Sequence, residues 1–161
     1  MASIAAGFLV SAPSARAQTT LSMDDTNFIM AAAQGGMTEV KMGQLASTNG
    51  IRDDVKSFGR MMVKDHTSIN NDLKVLAAQK GMTWPDRLDA KHQEMADSLA
   101  ALTGSGFDDA YINLMIKVHQ NDDKAFKAES AAAKDTDIIS FLDKFTPTVE
   151  SHLKQAALLK K

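Results

Sequence analysis

Apolar residues recur every three or four positions along most of this chain and draw four long stripes. The first reads Phe28, Ala32, Gly35, Glu39, Met42, Ala46, and the second Ile51, Val55, Phe58, Met62, then Asp65 or His66, then Ile69, Leu73, Leu76. The third runs Phe107, Tyr111, Met115, His119, Asp122, Phe126, Glu129, Ala133, and the fourth Ile138, Leu142, Phe145, Val149, His152, Ala156, Leu159. This is the period of an α-helix with one face turned to a core. It predicts helices over about 22–48, 51–80, 107–134 and 136–159, with a shorter one over about 86–102.

Punctuation between the stripes supports these limits. Ser22 is placed to cap the first helix and Asn49-Gly50 to end it, while Thr136 or Asp137 opens the last. Trp84-Pro85 and Gly104-Ser105-Gly106 break the chain on either side of the short helix. Pro147 removes one helical hydrogen bond about a turn before His152. Gly35-Gly36 is weak helix chemistry, tolerated where a neighbouring helix comes close. Short turns join the first helix to the second and the third to the fourth, so residues 81–106 cross the length of the molecule. The fold class is all-α, a four-helix bundle with one long crossover containing a short helix. The direction of the third helix stays open, because its polar residues fall near its middle and remain there if it is inverted.

Each stripe is interrupted by a strong ligand type. At about 1.5 Å of rise per residue, Glu39 lies about 16 Å and His66 about 22 Å from the first turn, His119 about 18 Å along its helix, and His152 about 17 Å from the same end. One inward Glu or His from each of four facing helices is how metal sites are built in bundle cores. His119 and Asp122, three apart, share one helix face. The alternative is a buried polar network in which the histidines pair with Asp65, Asp122, Glu39 and the Tyr111 hydroxyl. His92 lies on a stripe with Leu88, Met95 and Leu99 and reads as a boundary or surface histidine.

Composition narrows the chemistry. The chain has 161 residues, 44% of them hydrophobic, and a formal net charge of −2, which suits one domain and gives no electrostatic footprint for nucleic acid or an anionic membrane. No cysteine is present, so a metal site must be made of histidine and carboxylate. The ten methionines read as core filler. Residues 1–17 carry an apolar run from Ile4 to Val10 and the small-x-small sequence Ala15-Arg16-Ala17. They read as a signal peptide, leaving 18–161 as a single domain exported to the periplasm or beyond. The apolar run is too short to span a bilayer. Oligomeric state leaves no mark in the sequence.

Four segments, GGMTEVKMGQLA from Gly35, VKSFGRMMVKDHT from Val55, FDDAYINLMIKVH from Phe107 and the final Pro147-x4-His152, resemble the bacterial exported family catalogued as domain of unknown function 4142. That resemblance covers nearly all of the chain after residue 17 and implies a ferritin-like bundle. Ferritin-like di-iron centres use Glu on two helices and Glu-x-x-His on the other two. Here Val63 stands three before His66 and Val149 three before His152, so the resemblance does not extend to a di-iron centre. The reading that follows is one transition-metal ion (zinc, copper, iron or nickel) at Glu39, His66, His119 and His152, with Asp65 and Asp122 as outer or alternative ligands. A metal-free helical scaffold of the cell envelope is the second reading. A small redox or b-haem bundle with His and Met axial ligands is the third.

Overall fold

The structure is a computed structural model that describes residues 21–160. Its helices are α1 (Met23–Asn49), α2 (Asp53–Gln79), α3 (Ala90–Ala100), α4 (Gly104–Ala132) and α5 (Thr136–Leu159). Helix α1 packs on α2, α4 on α5, α2 on α5 and α1 on α4, so the four long helices close a ring; α3 lies outside it, against α1 and, more lightly, α4. This is the ferritin-like four-helix bundle with a long crossover. No described helix is long and apolar enough to cross a membrane. Residues 1–17, read as a signal peptide, lie outside the described residues.

Local chemistry sets the helix limits. Ser22 and Asp25 form a reciprocal capping box, each backbone N–H donating to the other's side chain at 2.9 Å. Four boundaries differ from the sequence expectation. Helix α3 starts at Ala90 rather than near 86, because Asp89 is its cap and accepts from the His92 N–H at 2.9 Å. Helix α5 is capped by Asp135, not Thr136 or Asp137; its Oδ1 accepts from the Asp137 and Ile138 N–H groups at 2.9 and 3.3 Å. Gly104-Ser105-Gly106 is the first turn of α4 rather than a break before it: the chain turns at Gly104, whose φ of 63° is left-handed, and the Phe107 N–H already donates to the Thr103 carbonyl at 3.3 Å.

Asp108, buried in the second turn of α4, settles the direction of that helix. Its two oxygens accept from the Ile51 N–H at 3.1 Å and the Arg52 N–H at 2.9 Å. The start of α4 therefore sits at the α1–α2 turn, and α4 runs parallel to α2. Helix α2 begins at Asp53 rather than Ile51, because Arg52, its cap, is extended with ψ at 135°. At the same end Arg52 Nη2 donates to the Leu159 carbonyl at 3.0 Å. At the other end Lys80 Nζ joins the end of α2 to Asp135 and Asp137 at 2.6 and 2.8 Å.

The core is divided. One apolar cluster gathers Phe28, Ile29, Leu73, Phe126, Ile138 and Leu142. The other gathers Met42, Phe58, Met62, Phe107, Tyr111 and Met115. Between them in sequence register lie the buried Glu39, His66, His119 and His152, one from each long helix. Close approach of α1 and α2 falls at Gly43 and Gly59, where a Cβ on either would meet the other's carbonyl oxygen at 2.8 Å. Of Gly35-Gly36, only Gly36 is confined: a Cβ there would run into the Asn70 side-chain amide, while at Gly35 it would meet nothing within 4 Å.

Candidate metal centre

Antiparallel α1 and α2, followed by parallel α4 and antiparallel α5, bring the four mid-helix residues to one level. His66, His119 and His152 are 3%, 0% and 1% exposed and Glu39 is 2% exposed, so their polar atoms must be answered from within the protein. His66 Nε2 and His152 Nδ1 are 3.2 Å apart, and His119 Nε2 and His152 Nδ1 are 3.3 Å apart. One nitrogen from each ring lies within 4.8 Å of the other two.

The outer nitrogens decide which atoms carry protons. His119 Nδ1 is 3.0 Å from the Met115 carbonyl, and His152 Nε2 is 3.1 Å from Asp65 Oδ2. A carbonyl and a carboxylate only accept, so both outer nitrogens are N–H donors in the neutral rings. The inner nitrogens of His119 and His152 are then bare lone pairs facing each other. Glu39 Oε2 lies 3.0 Å from His66 Nδ1 outside hydrogen-bond geometry; the carboxylate charge still favours the proton on that side, which turns a third lone pair inward. Glu39 Oε1 is buried without a hydrogen-bond donor and lies 3.4 Å from His119 Nε2.

Burial favours the neutral form of two of the rings, His119 and His152. Burial first, and then the charge of His66, push His152 down to about 4 against the opposing Asp65 hydrogen bond. Burial likewise lowers His119, and Glu39 only partly offsets it. Burial works against the Glu39 carboxylate, but His66 and His119, when charged, outweigh it and hold the group well below the usual carboxylate range. Burial and then the Glu39 charge push Asp122 up to about 9, so it holds its proton at neutral pH.

This donor set fits a metal cation. Ligand atoms about 2.0–2.1 Å from a tetrahedral ion are separated by about 3.3 Å, the spacing of the two inner pairs. Each imidazole would also have an acceptor behind it, as in carboxylate–histidine–metal arrangements. A cavity of about 30 Å³ lies against Glu39, His66 and Asp122, with Gly35 and Gly36 in its wall, room for one water.

All six residues singled out in the sequence gather here, in different roles. Glu39, His66, His119 and His152 surround the centre. Asp65, with 31% of its side chain exposed, braces His152 from the rim. Asp122 groups with Glu39 and His119 within 4.8 Å. Tyr111, expected among the network partners, is not one: its buried hydroxyl has no hydrogen-bond partner among the described residues. The brace that sequence reasoning missed is the Met115 carbonyl. Its one signal, a position four before a helical histidine, is shared by every such histidine.

The family model for a domain of unknown function, DUF4142, matches residues 10–159. The chain belongs to the DUF4142 family. A search of the curated proteins finds no match for this DUF4142 chain. Among solved structures it is similar to a DUF305 fragment from Deinococcus radiodurans, with 12% identity, 86% of this chain and 96% of that one covered, and a TM-score of 0.73. It is also similar to CopM in its Cu(I)-bound form, at 17% identity, 86% and 95% coverage and a TM-score of 0.70. CopM in its Cu(II)-bound form gives 18% identity, 85% and 95% coverage and 0.69. At these identities the DUF4142 chain and its neighbours share a fold.

Proposed function

We propose that this DUF4142 protein binds one transition-metal ion at Glu39, His66, His119 and His152 and serves metal handling or protection from metal stress. The observation that carries the reading is the pair of opposed lone pairs on His119 Nε2 and His152 Nδ1, 3.3 Å apart in a closed interior. A cation between them turns a repulsion into two bonds. Asp65, Glu39 Oε2 and the Met115 carbonyl would orient the rings, and a protonated Asp122 would limit the negative charge around the ion.

Among zinc, copper, iron and nickel, copper is the ion we favour. Imidazole with one carboxylate suits it, and solved neighbours of the same fold are described as CopM bound to Cu(I), Cu(II) and Ag. The same proposal treats residues 18–161 as the mature single domain, exported after removal of residues 1–17.

The test is metal analysis of protein isolated from its own cell fractions, followed by equilibrium dialysis of the metal-free chain against each ion. One equivalent of bound metal is expected. A chain that takes up none of the four ions, and that melts at the same temperature with and without them, would be a metal-free scaffold.

A further inference from the structure

A second cleft of about 290 Å³ opens between α1, α3 and α4. Its inner wall includes Glu39 and Asp122, the carboxylates on the α1–α4 side of the centre, and Met42. Its outer wall includes Lys91, His92 and Met95 of the crossover helix. The cleft therefore joins the buried carboxylates to the only described helix that lies outside the four-helix ring.

His92 is held as the core histidines are. Its Nδ1 lies 2.8 Å from Asp89 Oδ1, an acceptor, and the ring is only 19% exposed. With the proton on Nδ1, Nε2 is a free lone pair on a ring that forms part of the cleft wall. Met95, half-buried on the same helix, and Met42, fully buried behind it, add two thioethers, soft donors that prefer monovalent copper or silver. The cleft thus gathers a braced imidazole, two sulfurs and two carboxyl groups in its lining.

Resting on the metal-binding reading above, we propose that this cleft is the loading port of the centre. His92 and Met95 take up a soft monovalent cation, and Met42 passes it, alongside Glu39, to the imidazoles of the centre. Each transfer exchanges one ligand for the next around an ion of unchanged oxidation state. Lys91 at the rim works against free cations, so delivery from a carrier or chelate, which brings its own ligands, suits this mouth better than diffusion of the bare ion. Asp65 marks the other possible way in, on the α2–α5 side.

The experiment is anaerobic stopped-flow transfer of Cu(I) from a chromophoric chelator to the full metal-free chain. It compares wild type, His92→Ala, Met95→Leu and the double variant, with helicity and melting temperature checked for each. Met95→Leu nearly conserves volume, so folding is retained even if His92→Ala disturbs the cap of α3. The double variant is expected to load about tenfold more slowly, which is roughly 1.4 kcal/mol at the barrier, with release slowed by the same factor. Loading of the double variant at the wild-type rate would overturn the port and assign entry to the Asp65 edge. A wild-type chain that takes no Cu(I) from the chelator would overturn the copper reading on which the port rests.

Discussion

His119 and His152 meet across the bundle with their unprotonated nitrogens 3.3 Å apart, each pinned from behind by an acceptor, the Met115 carbonyl for one and Asp65 for the other. Such a pair suits the proposed ion better than it suits itself. In a self-sufficient polar network one of these nitrogens would donate to the other.

Replacing His66, His119 or His152 by Ala should each abolish most metal binding. At an ion concentration a hundredfold above Kd, wild type should gain about 2.7 kcal/mol from metal, and the variants close to nothing. Without metal the two readings separate further. A network would lose about 1–3 kcal/mol for each partner left unsatisfied, whereas loss of His119 from the metal-free centre removes a repulsion and should cost less. Denaturant titrations with and without metal measure both.

Glu129 and Asp25 give a pH dependence independent of the centre. Asp25, engaged in the α1 cap, stays ionised below its ordinary value: burial opposes this, and the Ser22 N–H and hydroxyl outweigh it. Burial, then the hydrogen bond to Asp25, push Glu129 up to about 7. The folded chain therefore binds a proton that the unfolded chain gives up near the group's ordinary value of 4.5, and stability falls as pH rises from about 4.5 to 7. Glu129→Gln should flatten this slope. Melting temperatures across that range would show a pH dependence unchanged by the substitution if the pair does not share a proton.

The helix glycines should respond to Ala with opposite signs. At Gly43 and Gly59 a methyl meets backbone at 2.8 Å and must push α1 and α2 apart, a cost of about 1–3 kcal/mol. At Gly35 it meets nothing within 4 Å, and helix propensity should add up to about 1 kcal/mol. Urea midpoints of the three variants give the ordering directly.

Export should leave Gln18 as the first residue, following Ala15-Arg16-Ala17. Intact-mass measurement of protein from periplasmic and cytoplasmic fractions checks this. A cytoplasmic species beginning at Met1 would place the protein inside the cell.

The fold was legible wherever a residue's neighbours were its own helix. The four stripes, the Ser22 cap and the Asn49-Gly50 turn all follow from local spacing. What spacing could not carry was the direction of α4, which depends on Asp108 reaching the Ile51 and Arg52 N–H groups 57 and 56 residues away. Nor could it carry the docking of α3, which turns His92 from a surface histidine into part of a cleft wall. Of the centre, the four interruptions of the stripes were visible because polar residues in a core stripe are costly. The proton positions were not visible, because they rest on a backbone carbonyl and on which carboxylate stands behind which ring.

The polar layer that separates the two apolar clusters also changes what unfolding means for this molecule. Each half of the bundle has its own oil, and across the boundary the halves are joined by continuous helices and by four side chains that, without an ion, partly repel one another. On the proposed metal reading, an ion held by all four helices would be a rivet through that seam. Occupancy would then set whether the two ends of the bundle open separately or together, and the protein's susceptibility to proteases would report the metal supply around it.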